Sequence, residues 1–511
     1  MGMSDKLWAI QFANLIAVLP AIVVMVTGFI VLLGDSCVPT WHKNGKALNP
    51  AVTFVGIAVA LFFNMTRIGK ETATAFSGAV VDDPFSRIAI LLLGVAAILA
   101  VLLSTTYLEN KKLHHGEYYV LILFSLFGAM LMASSNELIT LFVSIETLSV
   151  SLYVLAGFAR TEERSEEAAL KYFLLGAFAA GFLLYGIALV YGGSFGLSPT
   201  GKATTNLTEI GAGLASAGLG GVTVMFVIGV ALMFVGFAFK AALVPFHMWT
   251  PDVYQGSPTS VTAYMAALTK IAIFTVILRI LSVLTPISSV WLITAQILAV
   301  LTMFGGNILA VTQDNVKRML AYSSVAHAGY IMAAVVAVGV ANGKFHDLAI
   351  NATMFYLFAY TLMTIGAFGV LIWLSRRGRD CQTLGDLKGL VKRDPVGAYT
   401  MLVFMLSLGG IPPTMGFMGK LMIFNVLLSA GLMPLALCLG FASIISVYYY
   451  LRVVWMMCFM EPDKETITDH AVESSGALFA IGVTVVLSLF FGLAPTIAQN
   501  LLAPATNILV R

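Results

Sequence analysis

Apolar residues recur along this chain in runs of about twenty, the length of helix that crosses the hydrocarbon core of a bilayer. Within each run the apolar residues are continuous rather than alternating with polar ones, which predicts helices and not the strands of a transmembrane barrel. Windows of about 19 residues predict fourteen spans. Numbered in chain order, they are 13–34, 50–66, 87–107, 118–134, 138–158, 168–191, 222–249, 258–282, 288–310, 317–340, 349–375, 397–428, 430–456 and 475–498.

The composition supports the same class of fold. Hydrophobic residues make up 59% of the 511 positions and charged residues only 10%, whereas soluble domains carry roughly 25% charged residues. We therefore predict an all-α, polytopic integral membrane protein with about fourteen transmembrane helices. The first run is too long for a signal-peptide core, so a retained span is expected there. The net charge of +3 comes with no basic block, and no nucleic-acid partner is expected.

Two spans contain prolines that a regular helix does not accommodate. Span 7 contains Pro245, and span 12 contains Pro412 and Pro413 within "LGGIPPTMGFMGK". Proline removes a backbone donor and frees a carbonyl, so each span is predicted to be broken. Paired broken spans are typical of inverted repeats with a site near the bilayer midplane. The simpler alternative is that these prolines merely kink two helices.

Because the two breaks lie five spans apart, we expect two inverted five-span units. The predicted division of the chain is 1–116 for spans 1 to 3, 117–285 for spans 4 to 8, 286–458 for spans 9 to 13, and 459–511 for span 14.

Lysine and arginine are unevenly distributed between the loops, and this bias predicts orientation. The loops that follow even-numbered spans carry few of them: Arg67, Lys70, Lys202 and Lys344. The loops that follow odd-numbered spans carry Lys43, Lys46, Lys111, Lys112, Arg160, Arg164, Lys317, Arg318, Arg376, Arg377, Arg379, Lys388, Lys392 and Arg393. The odd loops are therefore expected to face the cytoplasm, and both termini the periplasm of a bacterium.

A few ionisable residues fall inside the apolar spans, where charge is costly and usually functional. They are Glu146 in span 5, Lys240 in span 7, Lys270 in span 8, His327 in span 10 and Lys420 in span 12. A buried carboxylate and a buried lysine can hold each other charged at a cost that depends on geometry. Such a pair is close to balance, so an arriving proton can shift it. These five residues are the candidate proton relay.

Other interpretations of these residues remain open. The pair of Glu146 and Lys240, or Lys420 by itself, could be static and serve only helix packing. His327 could be a core histidine bonded to Ser323 or Ser324 rather than a relay group. Arg452, which follows three tyrosines in span 13, is expected to be an interfacial anchor.

The sequence carries no G-x-G-x-x-G after a strand, no P-loop and no H-E-x-x-H, the motifs that would point to nucleotide or metal chemistry. The cysteines show no spacing suited to zinc or an iron–sulfur cluster. We therefore expect neither a redox centre nor a nucleotide site in this chain.

Several motifs resemble one known family. "LFVSIETLSVSLYVLAGF", "EEAALKYFLLGAF", "FKAALVPFHMWTPDVYQGSPT", "VKRMLAYSSVAHAGY" and "LGGIPPTMGFMGK" are similar to the antiporter-like membrane subunits of respiratory complex I. The resemblance runs from Glu137 to about Arg452. The lysine at Lys420, where the M-type sister subunit typically has glutamate, favours the N-type of NADH–quinone oxidoreductase subunits.

The resemblance implies a function in proton translocation. The family couples quinone reduction, carried out in other subunits, to proton pumping through buried residues that match Glu146, Lys240, Lys270 and the position of Lys420. NADH, FMN, iron–sulfur clusters and quinone would belong to partner subunits, with no cofactor in this chain. The expected partners are a neighbouring antiporter-like subunit, small membrane subunits, peripheral subunits and membrane lipids. The expected location is the bacterial inner membrane.

Two other functions remain open. One is a subunit of an Mrp-type multi-subunit cation/proton antiporter, which shares the logic of the broken spans. The other is a structural spacer in the membrane whose buried charges only set packing.

Overall fold

A computed structural model describes residues 14–37, 43–197, 201–375, 380–462 and 475–508. The predicted cluster of Arg376, Arg377 and Arg379 lies outside the described residues. The helices that correspond to spans 1 to 11 are Leu19–Cys37, Lys43–Met65, Pro84–Asn110, Gly116–Ser134, Leu138–Ala156, Glu163–Ser194, Val224–Ala241, Thr259–Val283, Ser288–Val311, Val316–Val336 and His346–Leu374. Span 12 consists of Pro395–Gly409 and Met415–Ser429, and spans 13 and 14 are Met433–Phe459 and Ser475–Leu493.

Shorter elements join the spans. The additional α-helices are Leu207–Ala217, Trp249–Gly256, Leu390–Arg393 and Pro495–Leu502. Turns of 3₁₀ helix occupy Phe195–Leu197, Gly218–Gly221, Thr285–Ile287, Ala337–Gly343, Gly385–Leu387 and Ala503–Thr506. An antiparallel hairpin of two short strands, Ala73–Ala75 and Val80–Asp82, precedes span 3.

The prediction of an all-α, polytopic membrane protein is confirmed. Among the described residues, 13 helices are long and apolar enough to cross a membrane. The two shorter apolar helices of span 12 account for the remaining predicted span. The fourteen predicted spans therefore correspond one to one with helices or pairs of half-helices.

The core is formed by spans 8, 10 and 11. Every residue of span 8 is buried, and nearly all of spans 10 and 11 are buried too. A helix that is apolar all round is expected in such a position. In spans 6, 9 and 13 only 39%, 33% and 39% of the residues are buried, as suits helices that face lipid. The titratable residues of spans 8 and 10 consequently lie in the interior.

Loops that follow odd-numbered spans meet on one side of the protein, and loops that follow even-numbered spans meet on the other. On the odd side, the ammonium of Lys111 lies 3.4 Å from Glu162 and 3.1 Å from Asp380. On the even side, the Asn136 amide donates to the Gly78 carbonyl at 3.0 Å. These contacts fit alternating spans, while the assignment of the odd side to the cytoplasm stays a prediction.

Both predicted breaks are present, and both begin at a residue in the left-handed conformation. The helix Val224–Ala241 ends at Ala242 (φ 57°, ψ 43°), and Pro395–Gly409 ends at Gly410 (φ 79°, ψ 47°). Such a residue closes a helix by turning its N–H back onto the last turn. Each chain then passes through its prolines before the next helix begins. The interior of the protein therefore contains two helix ends.

A buried ion pair that the sequence pattern did not reveal ties three spans together. Asp83 caps the N-terminus of span 3 through a capping box with Ser86. Its carboxylate accepts two hydrogen bonds from Arg279 of span 8, at 2.9 and 3.1 Å. Arg279 also donates to the carbonyl of Ala133 in span 4 at 3.1 Å. Because both side chains are buried, neither charge has water as an alternative partner.

The first prediction concerns this ion pair. Asp83→Asn should destabilise the fold by about 3–5 kcal/mol, because asparagine can still cap the helix but leaves the buried Arg279 cation uncompensated. The measurement is thermal unfolding of the purified chain in detergent.

The matched control is Asp314→Asn, which removes an exposed carboxylate that lies 2.5 Å from Arg452. Exposed pairs of this kind contribute less than about 1 kcal/mol. Equal shifts in the two variants would show that the Asp83 pair is not a structural lock.

Candidate functional site

The predicted pair of Glu146 and Lys240 is present at the junction of spans 5 and 7. The Lys240 ammonium lies 3.6 Å from the Glu146 carboxylate. It donates shorter hydrogen bonds to the hydroxyls of Ser149 at 2.6 Å and Tyr153 at 3.0 Å. The ammonium therefore has two neutral acceptors as well as one anionic partner.

The local sequence of span 5 explains this grouping. Glu146, Ser149 and Tyr153 follow one another at spacings of three and four residues, which places them on one face of a helix. Lys240 reaches this face from the last turn of the first half of span 7. The Glu146 side chain is 26% exposed, so the pair is at the edge of the core rather than at its centre.

Lys270 binds the break in span 7. Its ammonium donates to the Ala241 carbonyl at 2.6 Å, and Ala241 is the last residue of the helix Val224–Ala241. Carbonyls at a helix C-terminus have no partner within the helix and carry a partial negative charge. The break therefore provides an acceptor for a cation, as the prolines predicted.

Lys420 binds the break in span 12 in the same way. Its ammonium donates to the carbonyls of Leu408 at 3.2 Å and Gly409 at 3.0 Å, which end the first half of the span. It also lies 5.0 Å from the centre of the Tyr330 ring, a distance at which a cation is attracted to an aromatic face. Lys420 is buried.

The two breaks differ from the arrangement that the sequence suggested. The pattern presented Lys420 as the counterpart of Lys240, because each lysine lies in a broken span. In the structure, the lysine that binds the carbonyl at the break in span 7 is Lys270 of the next span. Lys240 precedes that break and bonds to side chains of span 5. Hydropathy alone does not show which of the two lysines, Lys240 or Lys270, binds the carbonyl at the break.

His327 forms hydrogen bonds to two tyrosines rather than to Ser323 or Ser324. Its Nδ1 pairs with the Tyr356 hydroxyl at 2.7 Å and its Nε2 with the Tyr450 hydroxyl at 3.1 Å. Ser323 bonds to Tyr450 rather than to the histidine. In the core-histidine alternative, tyrosines therefore take the place of Ser323 and Ser324 as partners, and Ser323 belongs to the same network.

Contacts or adjacent positions along the chain connect neighbouring members of the five candidate residues. Lys240 is adjacent along the chain to Ala241, whose carbonyl holds Lys270. The Tyr330 ring packs against the His327 ring, with 5.5 Å between their centres, and under the Lys420 ammonium. The structure thus brings Glu146 to Lys240, Lys270 to the residue after Lys240, and His327 to Lys420 through the Tyr330 ring. We call this set of five residues the polar line.

The hydroxyl groups of this line were not identified from the sequence. Ser149 and Tyr153 could have been found from their helical spacing to Glu146. Tyr450 lies in the stretch "YYYLRVV", which was interpreted as interfacial. Arg452 from that stretch lies beside the C-terminal end of span 9. There it donates to the carbonyls of Val311 and Gln313, each at 3.3 Å.

Within the described part of the chain, no group of three or more His, Cys, Asp or Glu side chains is arranged to hold a metal ion. The groups that the site does offer are amines, a carboxylate, an imidazole and hydroxyls, all of which can take up or release a proton. Broken spans whose ends bind buried lysines, together with a line of titratable groups, define an antiporter-like class of membrane protein.

Comparison with known proteins gives the family. A family model described as "NADH:quinone oxidoreductase/Mrp antiporter, TM" matches residues 135–446. The chain is 42% identical over 500 residues to NADH-quinone oxidoreductase subunit N of Trichlorobacter lovleyi, with 98% of each chain covered. It is 38% identical over 525 residues to subunit N of Myxococcus xanthus, again with 98% of each covered. The chain belongs to the family of NADH-quinone oxidoreductase subunit N.

Solved structures agree with this assignment. A chain of respiratory complex I from Thermus thermophilus with bound aureothin is 33% identical with a TM-score of 0.77, covering 95% of this chain and 99% of that one. A chain of the Mrp complex from Dietzia has a TM-score of 0.79 at 21% identity, covering 97% of each. The second likeness concerns the fold alone. The predicted resemblance to complex I membrane subunits of the N type is confirmed.

The second prediction concerns the end of the broken helix in span 12. Lys420→Gln should cost roughly 1–3 kcal/mol of stability, because the amide can still donate to the Leu408 or Gly409 carbonyl. Lys420→Met should cost more, because methionine offers no donor and leaves both carbonyls without a hydrogen bond. Thermal unfolding of the two purified variants makes the comparison. A methionine variant as stable as the glutamine variant would mean that these carbonyls do not need a donor.

Proposed function

We propose that this chain is a proton-translocating membrane-arm subunit of a complex I-type NADH–quinone oxidoreductase. Protons move along the line of Glu146, Lys240, Lys270, His327 and Lys420, driven by quinone reduction in other subunits. The observation that carries the proposal is that every lysine of this line also bonds to a neutral hydroxyl or carbonyl acceptor. NADH, FMN, iron–sulfur clusters and quinone are assigned to partner subunits.

The contacts of Lys270 explain how a buried amine could carry a proton. Removal from water disfavours an ammonium ion, whereas a hydrogen bond to a carbonyl favours it. The Lys270 ammonium donates to the Ala241 carbonyl at 2.6 Å. Among the described residues, no carboxylate forms an ion pair with it. The charged and neutral forms are therefore held in balance by two opposing effects. A change of charge nearby can shift this balance and move the proton.

The pair of Glu146 and Lys240 provides such a change of charge. At 3.6 Å the pair is longer than a hydrogen-bonded ion pair. When Glu146 takes up a proton, Lys240 loses its anion but keeps the hydroxyls of Ser149 and Tyr153 as acceptors. Its own proton is then held less tightly. Release towards the break in span 7 brings that proton to the neighbourhood of Lys270.

The proposed organisation follows from the two breaks. Residues 117–285 and 286–458 form two inverted units, each with one broken span, while 1–116 and 459–511 flank them. The odd loops face the cytoplasm and both termini face the periplasm of a bacterial inner membrane. This arrangement gives each unit one helix end inside the membrane for the proton to pass.

An Mrp-type cation/proton antiporter subunit is the second candidate, because the matching family description covers both kinds of protein. Relatives at 38–42% identity are named as oxidoreductase subunits, whereas the Mrp chain is 21% identical. Sodium-dependent transport that continues without quinone reduction would favour the antiporter.

The third prediction tests the first pair of the line. Glu146→Gln and Lys240→Ala should each reduce proton uptake per quinone reduced by about a hundredfold, the loss typical of a removed acid–base group. Assembly should survive, because Lys240 keeps the hydroxyls of Ser149 and Tyr153 in the first variant, and Glu146 is 26% exposed and can be solvated in the second. Quinone reduction and proton uptake are measured in inside-out membrane vesicles. The matched control is Glu167→Gln, an exposed carboxylate paired with Lys171 at 2.6 Å, and wild-type uptake in both test variants would exclude the relay role.

The fourth prediction separates a relay from a fixed charge at Lys270. Arginine can still donate to the Ala241 carbonyl but does not release its proton in this range. We therefore expect Lys270→Arg to assemble and yet pump little more than Lys270→Ala. The ratio of protons taken up to quinone reduced is the measurement. Full pumping by the arginine variant would make Lys270 a fixed charge.

A further inference from the structure

A second group of charges lies on the side of the odd loops, outside the line described above. Lys111, from the loop after span 3, lies 3.1 Å from Asp380 and 3.4 Å from Glu162. Asp380 also accepts a hydrogen bond from Tyr107 at 3.2 Å. Although burial lowers it, attraction to Asp380 and Glu162 raises the pKa of the Lys111 ammonium above its ordinary value. Three separate loops thus meet at the Lys111 ammonium.

The exposure of these side chains falls in steps from solvent to the interior. Glu162 is 49% exposed, Lys111 12% and Asp380 6%. Lys317 follows at 1%. The Tyr107 hydroxyl joins Asp380 to the start of span 8, because it also accepts a hydrogen bond from the Thr259 N–H at 3.1 Å. The group therefore forms a graded connection between water and the start of span 10.

Lys317 differs from its sequence interpretation. The pattern assigned it to a positively charged loop, but its side chain is buried in the first turn of span 10. Its ammonium donates to the Ser257 carbonyl at 2.7 Å. Ser257 ends the second half of broken span 7. A buried lysine held by one backbone carbonyl has the same arrangement as Lys270.

Span 10 leads from Lys317 to the polar line. Ser324 and His327 follow Lys317 by seven and ten residues, so the three lie within one stripe of the helix. The Ser324 hydroxyl is 3.4 Å from that of Tyr254, which belongs to the second half of span 7. The helical rise puts Lys317 about 10 Å from Ser324 along the axis. Water is needed to carry a proton over that distance.

We propose that Asp380 and Lys317 form the site at which protons are taken up from the odd-loop side, with Lys111 and Glu162 at its solvent-facing rim. The proton then passes along span 10, by way of water, Tyr254 and Ser324, towards His327. This inference rests on the proposed function and adds to it the place where a proton is loaded.

The transfer involves protons alone. Lys317 gives one proton inward and becomes a neutral amine, still beside the Ser257 carbonyl. Asp380, protonated by a hydronium ion from the water at the rim, then passes its proton through an intervening water to that amine and returns to the carboxylate form. Lys111 and Tyr107 stabilise this carboxylate. No bond other than those to the moving proton forms or breaks.

The test is proton uptake in inside-out vesicles that contain the assembled complex. Asp380→Asn keeps an oxygen acceptor for Tyr107 but cannot carry a proton. We expect uptake per quinone reduced to fall about tenfold, less than for a fully essential acid–base group, because water can still reach Lys317. The fall should be larger at pH 8 than at pH 6, where protons reach Lys317 more easily without the carboxylate. Asp380→Glu should restore most of the uptake.

The matched control is Asp314→Asn, another carboxylate on the same side, paired with Arg452 and apart from this group. Its uptake should equal that of the wild type. Should Asp380→Asn fail to assemble on a native gel, Glu162→Gln is measured instead, with the same dependence on pH expected. Lys317→Gln, which removes the proton acceptor itself, should lose uptake at both pH values.

Two outcomes overturn the inference. One is wild-type uptake in Asp380→Asn at both pH values. The other is an equal loss at both pH values that Asp380→Glu does not restore, which would mark a structural tie. Lys420→Ala in the same vesicles separates this inference from the proposed function. If Lys420→Ala stops pumping while Asp380→Asn pumps normally, only the loading site fails; if Lys420→Ala pumps normally, the proposed function fails.

Discussion

Backbone carbonyls that end inside a membrane need a donor, and this requirement governs the interior of the protein. In hydrocarbon an unsatisfied polar group costs several kcal/mol, so a broken span is tolerated only where other groups satisfy the freed backbone. Here lysines do so. Lys270 occupies the end of the first half of span 7, and Lys420 the end of the first half of span 12. Each break stabilises a buried ammonium, and each ammonium stabilises its break.

This mutual dependence links fold and function. An ammonium ion surrounded only by apolar side chains would destabilise the fold. A broken helix without a cation would leave its terminal carbonyls without hydrogen bonds. Together they form a site whose charge can change while the backbone stays in place. Lys240 precedes Ala241 directly along the chain, so a shift of charge at Lys240 acts on the carbonyl end that Lys270 occupies. The break in span 7 therefore connects the titratable groups of Lys240 and Lys270 through the Ala241 carbonyl.

The sequence predicted the spans and the breaks well because both depend on local chemistry. Runs of apolar residues determine the first, and Pro245, Pro412 and Pro413 determine the second. The partners of each charged group could not be predicted in the same way, since they depend on how helices are rotated against one another. Tyr450 reaches His327 from 123 positions along the chain. Asp83 and Arg279 are separated by 196 positions, and nothing in either local sequence indicates the other.

Arginine and lysine occupy different kinds of buried site in this protein. Arginine forms the permanent ion pair with Asp83, and lysines occupy the proposed proton pathway. Arg279 meets Asp83 through two hydrogen bonds of 2.9 and 3.1 Å, in the fork geometry that suits a permanent pair. Arginine keeps its proton, so that contact is fixed. Along the polar line the cations are instead lysines, and the one that has a carboxylate, Lys240, stands 3.6 Å from it. A protein that needed these charges only for packing would gain more from arginine in tight pairs, as it does at Asp83. Lysines held by neutral acceptors fit the proposed transfer of a proton better than fixed ion pairs do.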